Sequence, residues 1–456
     1  MKPFKNLLIL ALAWGVLFSA CDILDEEEQP TPEEDLQSLM PYTQYLVAYW
    51  QGLDMARYQL QWTQQLSGIR GTFIQIDRYG MEPPHTDDIW YFYYNEIHFR
   101  LKEITERANE TDAPAYRGMA NILQAYSLGF MTDTWGNLPY SAAETYFEEI
   151  GYPAYDSQDI LYAEIISLIS RGISDIREAA LTEHMRPGNN EDPIYGGDLD
   201  QWERAANTIK LRYLLRLGNY HDDYTEALTH INASELFANR GDDMSYEFNQ
   251  DLDQVNPHFF FDNERGHTRV GKFFTDLLKE SNDPRLAYYV AMDTNGEYEG
   301  NLPGEGRYNA SLPASEVASD DTPISLVSST EQQFIKAEVF LKTGNQHLAD
   351  QAFREAVISS LRECGIEDAS WEDENAYIEN VTLEQIITAK YVALFLNPEV
   401  WTDYRRTGYP ELPPYEDAPE NKIPRRFVYP QNEYERNADN IPDDAGLFDR
   451  VWWDTE

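Results

Sequence analysis

The chain has 456 residues, and its 80 Asp and Glu against 35 Lys and Arg give a formal charge of −45 at pH 7. A surface of that sign repels phosphate backbones, which excludes nucleic-acid binding. Hydrophobic residues make up 42% and aromatic residues 13% of the sequence, enough for a large core, so this is not a disordered acidic polymer.

At the N-terminus, Lys2 and Lys5 precede an apolar run from Leu7 to Phe18 that is too short to span a bilayer and ends in Ser19-Ala20-Cys21. That order reads as a secretory signal over residues 1–20. A cysteine directly after the small pair resembles a bacterial lipobox, in which Cys21 is acylated and becomes the first mature residue. Phe18 stands where such boxes usually carry Leu. The other reading is an ordinary signal peptide that leaves Cys21 a free thiol. Cys364 is the only other cysteine, so acylation of Cys21 rules out a disulfide framework and stability must come from packing. Residues 21–36 are dominated by Asp, Glu and Pro and read as a solvated tether from lipid to globule. Acidic residues just past an acylated cysteine also resemble an export signal to the outer face of the outer membrane.

Beyond the tether the chain reads as helical. Met119, Ile122, Leu123, Tyr126 and Phe130 form one apolar stripe, and Gly118, Ala120, Ala125 and Gly129 keep that helix slim enough for a close neighbour. A second helix follows Ser157 as its cap, with Ile160, Leu161, Ile165, Leu168 and Ile169 on the buried side; a third runs from about Trp202 to Leu217. Between Leu217 and Glu331 the periodicity fails. Asn232 to His267 is rich in Asn, Asp and Phe, Asp293 to Pro323 in Gly and Pro, and the tail from Tyr409 in Pro; they read as loops that serve as functional surfaces or coverings. The spacing of Ala337, Phe340, Gly344, Ala349, Phe353 and Ala356 matches a tetratricopeptide hairpin, with Gly344 ending its first helix. One more helix, Leu383 to Phe395, stops before Asn397-Pro398.

No nucleophile, metal or cofactor signature accompanies this pattern, so no catalytic residue, metal ligand or cofactor is assigned. The eight histidines are scattered, and Gly304-x-Gly306 lacks the rest of a dinucleotide fingerprint. Asp293-Thr-Asn295-Gly296 is out of register for a calcium loop. Adjacent acids such as Glu148-Glu149 and Asp320-Asp321 are expected by chance in so acidic a chain and read as solvated faces, which argues against a glycoside hydrolase. What stands out is 31 Tyr and 10 Trp. Flat aromatic faces stack on the apolar faces of sugar rings, although most of these residues must be core.

Several motifs recur in an order that resembles the SusD/RagB-type nutrient-binding lipoproteins, in their SusD-like, starch-binding branch. They are Trp90-x2-Tyr93-Tyr94, Thr132-Asp133-Thr134-Trp135-Gly136-Asn137-Leu138-Pro139, Trp202-x2-Ala205-Ala206-Asn207, Asn282-Asp283-Pro284-Arg285, and Trp401-x2-Tyr404-Arg405-Arg406 followed by Ile423-Pro424-Arg425-Arg426. Read bottom-up, Gly136 to Pro139 stops a helix, and Asp283-Pro284 caps one with proline at its first position. The two arginine pairs await buried carboxylates. The resemblance implies an all-α fold, a single domain over residues 37–456 in which tetratricopeptide-like helix pairs support loop-rich insertions. It implies a non-catalytic protein at the outer membrane that binds oligosaccharide, or in some members peptide, and delivers it to a partner TonB-dependent transporter of the SusC type. The ligand region it implies spans Gln64 through Trp90 and Tyr298 through Tyr308, with Arg70, Tyr79, Trp90, Tyr298 and Tyr308 as ligand-binding residues. The competing function is a tetratricopeptide-like scaffold that binds a protein partner at the cell surface and no nutrient.

Overall fold

The computed structural model describes residues 31–143, 152–249 and 254–455. The signal sequence and Cys21 lie outside the described residues. The chain enters through α1 (Pro32–Trp50), so the helix begins inside the stretch read as tether: Leu36 and Met40 bury fully there and supply the apolar anchor that the residues before them lack. After α2 (Asp54–Trp62) comes a short strand, β1 (Leu66–Gly68), and α3 (Gly71–Asp77). Helix α4 (Asp87–Phe92) runs through a π-helical turn (Tyr93–His98) into α5 (Phe99–Glu110).

The longest helices form the scaffold. They are α6 (Pro114–Trp135), α7 (Gln158–Ala179) and α8 (Leu199–His221), followed by α9 (Thr225–Ala233). The small residues expected to let helices approach do so. A Cβ on Gly118 would sit 2.9 Å from Ile176, one on Gly172 would sit 2.7 Å from Ile122, and one on Gly129 would overlap the Tyr213 hydroxyl. Helix α6 therefore packs directly on α7 and α8. Ser157 is the N-cap of α7 by position, yet its side chain accepts no capping bond; Asn137 Oδ1 takes the Gln158 N–H instead, at 3.0 Å. The cap thus comes from the turn that ends α6, where Gly136 adopts φ +86°.

The segment read as irregular holds short elements: β2 (Met244–Tyr246), α10 (Pro257–Glu264), β3 (Thr268–Val270), α11 (Lys272–Glu280), α12 (Leu286–Tyr289) and β4 (Ile324–Val327). Strand β1 pairs antiparallel with β3, and β2 with β4. Asp283 does cap the backbone N–H of Arg285, at 2.9 Å, but the helix that follows is a single turn that starts at Leu286. Then α13 (Ser329–Lys342) and α14 (Gln346–Glu363) form a helical hairpin closed by Gly344 at φ +76°, burying Ala337, Phe353 and Ala356 between them. The chain ends through α15 (Ala369–Asn375), α16 (Leu383–Ala393), α17 (Glu399–Thr407) and α18 (Gln431–Arg436).

Ion pairs tie these layers together. Arg212 on α8 grips Glu331 on α13 at 2.6 and 2.8 Å, while Arg216 pairs with Asp133 and Glu399. Arg406 is held by Glu338 and, at 2.9 Å, by Asp403, which also takes Lys390 at 2.7 Å. Arg425 pairs with Asp454. The other half of each arginine pair departs from expectation. Arg405 lies over Trp401 at 3.5 Å and donates to the carbonyls of Asp133 and Arg425, and Arg426 donates to the carbonyls of Trp135 and Asp444. Backbone oxygens at helix and turn ends take the place of carboxylates at these positions.

Candidate functional site

Helix α4 separates two open grooves. Its sequence, Asp87-Asp88-Ile89-Trp90-Tyr91-Phe92, puts acids in the first turn, where the helix dipole favours them, and aromatics all round. One groove, of about 550 Å³, is walled by Trp90, Tyr91, Tyr94, Asn95 and Phe99. The other, of about 830 Å³, lies between α1–α2, the opposite side of α4, and α10; Tyr49, Phe92, Phe260 and Phe261 supply its apolar walls and Asp54, Arg57, Asp88 and Arg265 its polar ones. Aromatic faces beside a few fixed polar groups suit a polar ligand with apolar ring faces.

Local structure holds the second groove rigid. Asn256 Oδ1 caps α10 by accepting from the N–H groups of His258, at 2.8 Å, and Phe259, at 3.3 Å, and Pro257 occupies the first turn. Arg57 is buried. It donates to Asp54 at 2.9 Å and to the Pro257 carbonyl at 2.6 Å, and stacks 3.9 Å over Phe261, so α2 and α10 are locked together. Phe260, on the next face of α10, remains 51% exposed at the rim.

Just after Arg265, which lines this groove, the chain enters β3 and pairs with β1. Ile69 N–H donates to the His267 carbonyl at 2.8 Å, which brings Arg70 beside Arg265, and the Arg70 guanidinium donates to the Arg265 carbonyl. Across the register, Arg269 opposite Ser67 donates to the Tyr308 carbonyl at 2.8 and 3.0 Å. The loop carrying Tyr308 is pinned from below. Asp77 accepts from Gly304 N–H at 2.6 Å and Ser67 Oγ at 2.8 Å, and Arg78 donates to the Gly304 carbonyl at 2.6 Å. Burial pushes the Asp77 carboxyl up to about 7, against the pull of these hydrogen bonds.

The residues singled out from sequence divide accordingly. Arg70 and Tyr308 are both exposed, Arg70 held to the Arg265 carbonyl and Tyr308 to Arg269 through its own carbonyl. Tyr298 is half-buried at the edge of the core around Phe274 and Leu278, its carbonyl receiving Lys279. Tyr79 is buried, and its hydroxyl accepts the Tyr415 N–H at 3.0 Å, holding the C-terminal tail. Trp90 is 8% exposed and packed among Tyr94, Trp135 and Tyr429, with one edge on the first groove. Sequence reasoning missed Phe260, Phe261, Arg57 and Arg265. The Asn256-Pro257 cap signature, followed by three phenylalanines, was the available sign.

The family model described as "Starch-binding associating with outer membrane" matches residues 28–430. The chain belongs to the SusD-like family. Solved structures share its fold. A SusD/RagB family protein from Bacteroides thetaiotaomicron is 20% identical with a TM-score of 0.78, covering 94% of this chain and 99% of its own. A chitin-binding SusD homologue from Flavobacterium johnsoniae is 21% identical with a TM-score of 0.76, over 93% and 97%. A SusD homologue from Bacteroides fragilis is 19% identical at a TM-score of 0.72, over 94% and 100%. No curated protein sequence matches. Against these SusD-like relatives the present chain keeps the whole architecture while its side chains are largely its own.

Proposed function

We propose that this SusD-like chain is a lipid-anchored, non-catalytic protein of the outer membrane that captures an oligosaccharide in the Phe92–Phe260 groove and passes it to a TonB-dependent transporter. In this reading Cys21 carries the lipid, the acidic segment after it is the tether, and the tetratricopeptide-like helix pairs are the frame that carries the insertions. Ligand rings stack on Phe260 and Phe92, with Arg70 and Tyr308 at the margin, while Trp90 supports α4 from the core and Tyr79 and Tyr298 belong to the surrounding structure. The observation that carries it is the open groove of aromatic rings and fixed polar groups, in a chain of a family described as starch-binding.

The distribution of exposed apolar residues favours nutrient capture over a protein-binding scaffold. Phe260, Met292, Leu302, Tyr308 and Leu312 are exposed within one inserted segment, while the exposed apolar residues elsewhere, such as Tyr42, Ile160, Leu181, Leu348 and Tyr434, are spread over separate elements. Calorimetric titration of the full mature protein against oligosaccharides and peptides tests this. A saccharide that binds wild type and loses about tenfold in affinity with Phe260→Ala supports the groove. Absence of binding by any of them, with a co-purified transporter complex that also takes up nothing, overturns it.

A further inference from the structure

Most arginines in the described residues find a carboxylate, as expected where acids outnumber bases by more than two to one. Arg57, Arg212, Arg285 and Arg406 are examples, each within 3 Å of Asp or Glu. Several do not, among them Arg78, Arg405 and Arg426, which donate to backbone carbonyls, and the group Arg70, Arg265 and Arg269. None of these last three has a salt bridge among the described residues, yet all sit on or beside β3 with His267 between two of them. Arg269 spends its donors on the carbonyls of Tyr308, Gly266 and Thr268, so it is a fixed local charge. Arg70 uses one N–H on the Arg265 carbonyl, and both Arg70 and Arg265 are exposed. Arg265 also forms part of the aromatic groove wall.

Nearby acids do not cancel the cluster. Asp54 is occupied by Arg57, and Asp262, which receives the Thr268 hydroxyl at 3.4 Å, is drawn to Arg57 and Arg269, which leaves Arg70 and Arg265. Glu264 is exposed on α10, and Asp88 stands across the groove on α4. The charges are close enough to act on one another. His267 titrates below its ordinary range, first from burial and then from Arg70 and Arg265. Like charges held together at the mouth of a groove, in a molecule of strongly opposite sign, focus a local field that attracts anions.

We propose, resting on the groove reading above, that the ligand is a carboxylated oligosaccharide whose rings stack on Phe92 and Phe260 and whose acid groups meet the guanidinium groups of Arg70 and Arg265. A planar guanidinium matches a carboxylate with two parallel N–H donors, which a neutral hydroxyl cannot use. The overall charge of the protein penalises such a ligand everywhere else, so the cluster also dictates where it lands.

The experiment titrates the full mature protein with hexamers of galacturonate and mannuronate, with neutral malto-, cello- and chitohexaose, and with a hexa-aspartate peptide. The expected result is binding of a uronate hexamer about tenfold or more tighter than any neutral hexamer. That binding weakens several-fold between 50 and 500 mM NaCl and is lost in Arg70→Gln/Arg265→Gln, whose melting temperature is unchanged because both side chains are exposed. A neutral hexamer that binds tightest, with affinity untouched by the double substitution but reduced by Phe260→Ala, overturns the charge inference and leaves the groove reading standing. Hexa-aspartate binding in preference to every saccharide overturns the inference too. If no saccharide or peptide binds, the groove reading falls and takes the inference with it.

Discussion

At the residue scale, buried charge decides where this protein is rigid. Asp77 fixes the Gly304 loop from inside the wall, and its Oδ1 has no partner. Because its carboxyl is raised from 3.8 to about 7, the folded state holds a proton that the unfolded state gives up, so this group costs stability progressively as pH rises from about 4 to 7. Asp77→Asn keeps an oxygen for the Gly304 N–H and removes that cost. Denaturant unfolding at pH 5 and pH 8 should show the variant gaining about 2–3 kcal/mol on wild type between the two; a gap that does not change with pH contradicts the assignment. Elsewhere, Glu338→Ala strips the fully buried Arg406 of one of its two carboxylates and should cost about 3–5 kcal/mol, while Glu338→Leu with Arg406→Met should recover most of it. Chemical denaturation reads both.

At the element scale, close helix contacts depend on missing side chains. Gly129→Ala would place a methyl on the Tyr213 hydroxyl and should lower the unfolding free energy by about 1–3 kcal/mol despite the better helix propensity of alanine. A variant as stable as wild type would mean that α6 and α8 can separate freely. Helices α6, α7, α8 and the α13–α14 hairpin were legible in the sequence because each shows a sustained stripe of apolar residues on one face, and Gly136 and Gly344 mark the ends of α6 and α13 through left-handed φ angles. Helix α1, which begins in the stretch read as tether, was not. Nor was helix α10, since eight residues give only two turns and its phenylalanines face several ways. The cap of α7 was misread for a related reason: Asn137, some twenty positions earlier in the chain, supplies the acceptor that Ser157 was expected to provide.

At the scale of the whole molecule, the frame and the site were unequally visible. Motifs such as Thr132 to Pro139 and Trp401 to Arg406 are core and ion-pair machinery, so they mark the SusD-like architecture and carry no ligand information. The groove is assembled from α1, α2, α4 and α10, elements separated by up to two hundred residues, and no local spacing encodes that meeting. Arg70 and Tyr308 each touch the β3 region separately, Arg70 donating to the Arg265 carbonyl and Tyr308 accepting from Arg269 through its own carbonyl, and only the β1–β3 pairing shows the part that Arg265 and Arg269 play. The net charge of −45 gains meaning only against that exception, a basic cluster beside an aromatic cleft. A crystal structure of the mature protein soaked with the tightest-binding oligosaccharide tests the central claim most directly. Sugar rings against Phe92 and Phe260 are the predicted result; density seated on the α13–α14 face or in the Trp90 groove, with the Phe260 cleft empty, would contradict it.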